Sequence, residues 1–227
     1  GGVASHRGLS HFKANLSDSI DSGVQFHPFK VTLFEQYFEK NTFADPDQKR
    51  GVLESGEPAF TMFENVVASL FEEDGSILAV YTLGDFCDRM IARFDPDGDL
   101  QYVKYMKSSI YPFQFTRSPT YEKHQEMALQ KLGKKHFIIL NGGIEEVGPE
   151  YISQKAPLKK YNEAIILYRI DEEGIITRQN LMEFESREDP WIFFESKSFK
   201  IDENRILLFT TKFEDVKQQR FIEISTN

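Results

Sequence analysis

Between residues 66 and 106 the apolar positions fall into short runs separated by turn chemistry. Val66 to Phe71 is apolar-rich, Glu72-Glu73-Asp74-Gly75 is a turn, and Ile77 to Leu83 is a second run of β-favouring residues. A connection around Gly84 and Asp85 leads to Met90-Ile91-Ala92-Arg93-Phe94 and then to Asp95-Pro96-Asp97-Gly98-Asp99. Beyond it Leu100, Tyr102, Lys104 and Met106 alternate with Gln101, Val103 and Tyr105. Side chains on a strand alternate between its faces, so runs of this length with tight connections predict four consecutive antiparallel strands, a meander.

The pattern recurs. A second unit runs from Met127 to Leu132, across Gly133-Lys134-Lys135, and into His136 to Leu140. After an insertion it resumes with Ala164 to Ile170, turns at Asp171-Glu172-Glu173-Gly174, and ends with Ile175 to Phe184. A third unit has Ile192 to Ile201, a turn at Asp202-Glu203-Asn204, Ile206 to Thr211, and Arg220 to Ser225. Arg93-Phe94-Asp95 before one acidic-Gly turn corresponds to Arg169-Ile170-Asp171 before another. Recurrence at about 45–75 residues is the sequence form of a stacked or radial β architecture. The insertion from Asn141 to Asn162, broken by Gly142, Gly143, Gly148, Pro149 and Pro157, is a long loop on this scaffold.

The first sixty residues form an irregular N-terminal segment ahead of the meanders of residues 61–227. Ser10 is placed to cap a helix carrying Phe12, Leu16 and Ile20. Residues 31–38 satisfy two periods, a helical stripe of Leu33, Phe34, Tyr37 and Phe38 and a strand alternation of Val31, Leu33 and Tyr37; strand is the preferred reading. Ala44 to Pro58 reads as an exposed connection.

The units, with RFDPDGDLQYVKYM at 93–106 and RIDEEGIITRQNLMEF at 169–184, resemble blades of a β-propeller, in which each blade is a four-stranded meander. The resemblance spans residues 60–227 and is closest to the TolB-like, six-bladed propellers of exported bacterial proteins. It implies an all-β fold, propeller-like, with a barrel or a sandwich as the alternative. The chain has neither a WD dipeptide nor a double-Gly kelch pattern, and three units are fewer than a common closed propeller contains. The expected architecture is therefore a single all-β domain or part of a larger propeller.

Composition agrees with a strand-rich chain and excludes several functions. Among 227 residues there are 21 Phe and 9 Tyr but one Trp, and aromatic side chains favour pleated surfaces. Lys and Arg number 27 against 36 Asp and Glu, so a net charge of −9 repels phosphate backbones and argues against nucleic acid as a partner. The lysines at 131, 134, 135, 155, 159 and 160 are interleaved with acids and apolar residues and read as solvated turns. Cys87 is the single cysteine, which excludes an internal disulfide and a cysteine-built zinc site; Asp85 and Asp88 disfavour a thiolate nucleophile there. No apolar run approaches the roughly 18 residues that a transmembrane helix requires. The start at Gly1-Gly2-Val3 reads as a processed or engineered terminus, and an exported location is favoured over a cytoplasmic one.

Chemistry-bearing motifs are few. Asp95, Asp97 and Asp99 alternate as in a calcium loop, but Gly98 is the fourth residue and Met106 the twelfth, where an EF-hand needs Gly sixth and Glu twelfth; a hairpin turn explains them. His6 and His11 are five apart, His27, His124 and His136 stand alone, and no HExxH is present, so no metal is expected. There is no G-x-S-x-G elbow, P-loop or G-x-G-x-x-G, and no cofactor is expected. What remains are loop acids, Asp85, Asp88, Glu145, Glu146, Glu188 and Asp189, and the segment Asp189-Pro190-Trp191-Ile192-Phe193-Phe194, where a Trp beside acids can grip a sugar ring or a peptide.

These observations predict a non-catalytic binding module for a small molecule, glycan, peptide or protein. Trp191, Asp85, Asp88, Arg89, Glu145 and Glu146 are its ligand-binding residues, and no residue is assigned to catalysis. The rivals are a glycan-acting hydrolase using two of the loop carboxylates and a structural piece of a larger scaffold.

Overall fold

The computed structural model describes residues 8–11, 24–40, 63–83, 88–107, 127–143, 163–184, 191–212 and 218–226. The fold is all-β: two four-stranded sheets, one three-stranded sheet and one hairpin, antiparallel throughout, with a single helix among the described residues. The chain separates into two compact units, Gly1–Lys107 and Ser108–Asn227.

In the first unit β1 (Gly8–His11) and β2 (Gln25–Pro28) form the hairpin, α1 spans Val31–Lys40, and β3 (Phe63–Phe71), β4 (Ile77–Leu83), β5 (Asp88–Phe94) and β6 (Leu100–Met106) form a meander in chain order. Two readings of the N-terminal segment are corrected. Ser10 lies in β1, paired with Phe26, and does not begin a helix; Phe12, Leu16 and Ile20 lie outside the described residues. Residues 31–38 are helical, not a strand. Leu33 and Phe34 are buried at 4% and 1% exposure and Tyr37 lies one turn on, so the stripe at i, i+1 and i+4 prevails because it meets an apolar sheet face. That face carries Met90, Ala92, Phe94 and Tyr105, and Leu9 and Phe29 join the same core. Tyr37 meets Tyr105 edge-on at 5.3 Å, and Nε2 of His27 bonds the Gly98 carbonyl oxygen at 3.0 Å, which anchors the hairpin to the β5–β6 turn.

The second unit contains β7 (Met127–Leu132), β8 (Lys135–Gly143), β9 (Glu163–Ile170) and β10 (Ile176–Phe184) as one meander. A three-stranded meander follows, of β11 (Trp191–Asp202), β12 (Arg205–Lys212) and β13 (Gln219–Ser225). The two sheets pack face to face: Phe137, Ile139, Ile165 and Leu167 from one meet Ile206, Leu208 and Ile224 from the other. Neighbours Ile138 and Ile139, and Ile165 and Ile166, are all 0% exposed, so β8 and β9 are buried on both faces. This is why their sequences are continuous apolar runs without alternation.

Three turns share one design. Glu72-Glu73-Asp74-Gly75, Asp95-Pro96-Asp97-Gly98 and Asp171-Glu172-Glu173-Gly174 each close with the glycine amide donating to the carbonyl of the first residue, at 3.0, 3.0 and 3.1 Å. The glycines have φ of 91°, 91° and 77°, a region L side chains resist, so the acidic-Gly signal in the sequence has a backbone cause. In the second turn Asp95 Oδ1 accepts from the amides of Asp97 and Asp99 at 3.0 and 2.9 Å, and Oδ2 accepts from Gln101 at 2.7 Å. The carboxylate that suggested a calcium loop thus organises its own hairpin.

Candidate functional site

Each sheet has unlike ends. In the first unit the pairs Phe63↔Leu83, Leu83↔Asp88 and Arg89↔Met106 gather the ends of all four strands at the connection 84–87, while the acidic-Gly turns close the opposite end. In the second unit Gly143↔Glu163 and Glu163↔Phe184 set the mouth of the 144–162 insertion beside the connection 185–190. Trp191↔Lys212 and Thr211↔Gln219 put the matching end of the third sheet at the connections 185–190 and 213–217. The Gly133 amide donates to the Glu203 carbonyl at 2.9 Å, so within this unit the short turns of both sheets share one end and the long connections leave from the other.

Three of the sequence-derived candidates, Asp88, Arg89 and Trp191, fall among the described residues, at long-connection ends of their sheets. Trp191 opens β11 and Asp88 opens β5. Arg89, opposite Thr82, is buried at 3% exposure and so is enclosed by the protein. Asp85, Glu145, Glu146, Glu188 and Asp189 lie outside the described residues, as does Cys87.

Sequence reading missed the polar groups buried just beneath those ends. Thr82 (6%) pairs with Arg89, Thr210 and Thr211 lie at the end of β12, and Asn141 lies two residues before the end of β8, which corrects the sequence reading that began the insertion at Asn141. At the opposite ends the buried polar side chains among the described residues are Glu72, Ser76 and His136, and between the two ends the buried side chains are apolar. The missed signal is a polar residue closing an otherwise apolar strand, as in Ala-Val-Tyr-Thr at 79–82, Ile-Leu-Asn at 139–141 and Leu-Phe-Thr-Thr at 208–211. Burying an amide or hydroxyl is costly unless it is hydrogen-bonded, and Thr210 Oγ1 accordingly donates to the Arg220 carbonyl oxygen at 3.4 Å.

Electrostatics at the turn ends are local. Arg93 reaches Glu72 at 3.2 Å, with the Glu72 side chain 1% exposed. The Asp202 carboxyl is held below the ordinary carboxylate range first by a side-chain hydrogen bond from Arg205, 2.7 Å away, and then by the Asn204 amide. Burial raises the Tyr81 hydroxyl. Among the described residues no group of three His, Cys, Asp or Glu side chains is placed to hold a metal ion, and no helix is long and apolar enough to cross a membrane. No protein-family model matches the chain, and no curated protein matches it.

Proposed function

We propose that the chain is a propeller-type binding module whose ligand, a glycan or a peptide, meets the long-connection ends of the sheets. The observation that carries this reading is that each unit by itself buries polar side chains under those ends, Thr82 and Arg89 in the first and Asn141, Thr210 and Thr211 in the second. Of the candidates among the described residues, Asp88 and Trp191 begin strands there. A propeller is supported by the successive meanders and by the face-to-face packing of two of them in the second unit. Polar groups fixed on rigid strands beneath variable loops are how β scaffolds hold ligands.

Trp191 is the single tryptophan, so its fluorescence reports one sheet end without labelling. Titration with oligosaccharide and peptide panels is expected to shift or quench that emission for one class, with binding lost in Trp191→Ala. Turnover of a bound glycan, abolished by Asp88→Asn or Glu146→Gln, would replace the module by the hydrolase. A second reading, a piece of a larger scaffold, is favoured by a ladder of phenylalanines on the outer face of the third sheet. Phe199 and Phe221 are 53% and 60% exposed. Both meet Phe209 edge-on, at 5.4 and 4.5 Å. An exposed aromatic ladder of this kind suits contact with another sheet.

A further inference from the structure

We infer that the edge of β13 and the groove beside it accept an extended strand from a separate polypeptide, carrying an acidic residue followed by alternating apolar residues. Three observations converge on this place, which is distinct from the long-connection ends.

The first is strand number. Among the described residues the sheet β7–β10 has four strands, whereas the sheet packed on it has three, β11–β13. Among the described residues β13 pairs with β12 alone, and Gln219, Phe221 and Glu223 are exposed. A strand edge of this kind offers a row of backbone donors and acceptors to an added strand.

The second is shape. A groove of about 660 Å³ runs between β13 and the facing sheet, lined by Leu167, Thr177, Gln179, Leu181, Ile224 and Thr226 among others. The register pairs Thr177 with Arg169 and Gln179 with Leu167, so these side chains share the face that looks toward β13. A fourth strand beside β13 would cover that face.

The third is charge. Lys135 and Arg169 line the turn end of the groove. The one acid there, Glu223, lies 3.8 Å from Arg205. A comparison within the chain sharpens this. Arg93 and Arg169 hold the same place in the repeated Arg-aromatic/Ile-Asp motif, and Arg93 is answered by Glu72 at the head of the β3–β4 turn. The corresponding β7–β8 turn is Gly133-Lys134, with no carboxylate to answer Arg169. An acid on the incoming strand would supply it.

The direction of the strand follows from the antiparallel pairing that both neighbouring pairs of this sheet use. β13 runs toward the turn end, where the Thr226 amide donates to the Asn204 carbonyl at 3.1 Å. An antiparallel partner therefore enters at Lys135 and Arg169, so its acidic residue comes first. Residues two and four positions later face Leu167, Leu181 and Ile224.

The test uses the whole chain with an acetylated, amidated peptide Glu-Thr-Val-Thr-Val-Thr, the same peptide with Lys for Glu, and the reversed sequence. Hydrogen exchange of the amides of residues 219–225 is followed with and without each peptide. The acidic peptide is expected to slow that exchange by about tenfold and to bind about tenfold more tightly than the other two. Arg169→Glu is expected to turn the preference toward the Lys peptide while leaving thermal unfolding unchanged. Lys135→Glu, at an exposed position, gives the same reversal should Arg169→Glu fail to fold. Equal binding of the acidic and Lys peptides, or unchanged exchange in β13, would overturn the proposal. Full protection of β13 in the free protein would also overturn it, since the edge would then be covered by this chain itself.

Discussion

The amide of Gly133 donates to the carbonyl oxygen of Glu203 at 2.9 Å, tying the two-residue turn of one sheet to that of the next. Gly133 has φ of 55°, and a Cβ placed on it would meet nothing within 4 Å. Its requirement is conformational, not steric. Gly133→Ala is expected to cost about 1 kcal/mol, the penalty of a left-handed L residue, and Gly133→Asn less. Gly133→Pro, which removes the donor as well, is expected to cost more than either. Urea unfolding of the three variants orders them.

The Asp95 carboxylate holds two amides and the Gln101 side chain. Asp95→Ala is expected to destabilise the β5–β6 hairpin by about 1–2 kcal/mol. Because Asp95 is engaged by the turn itself, added calcium is expected to leave the melting temperature of the wild-type chain unchanged, as read by differential scanning calorimetry.

Arg93 and Glu72 form a pair in which the acid is nearly enclosed. Arg93→Ala would leave that carboxylate buried with its cation removed, at an expected cost of about 2–3 kcal/mol, reduced because Arg93 itself is partly exposed. The double variant Arg93→Leu/Glu72→Leu is expected to recover most of the loss. A double-mutant cycle in guanidinium chloride measures the coupling.

Asp202 gives the pH dependence. Its carboxyl titrates below the ordinary range in the folded chain because Arg205 and the Asn204 amide favour the charged form. On acidification the unfolded chain therefore takes up this proton first. The contribution to stability is full above the ordinary carboxylate pKa and is lost as pH falls through the depressed one. The raised Arg205 value lies far from this window and adds nothing to the slope there. Both groups are exposed, so the effect is small. A carboxyl-detected NMR titration should show Asp202 below its value in an unfolded peptide, and Arg205→Ala should move it part of the way back, the Asn204 amide still holding the charged form.

Much of the all-β fold was legible because its turns are chemically explicit. Acidic-Gly sequences at 72–75, 95–98 and 171–174 needed a positive-φ residue, and the strands between them had period two or uniform apolarity according to whether one face or both are buried. Residues 31–38 were not legible in that way. Leu33 and Tyr37 satisfy both periods over so short a span, and the apolar face of β5 and β6 decides between them. Site residues were harder for a related reason. Loop acids attract attention in a sequence, whereas Thr82, Asn141 and Thr210 look ordinary until their burial is known.

The binding reading is tested most directly by amide chemical-shift mapping with the glycan or peptide that moves Trp191 emission. The account predicts that shifts concentrate at residues 141–143, 191–192 and 210–212, the long-connection end of the unit that holds Trp191, with the turn at 171–174 undisturbed. Shifts confined to that turn, or a panel that leaves both the spectrum and the tryptophan emission unchanged, would contradict it.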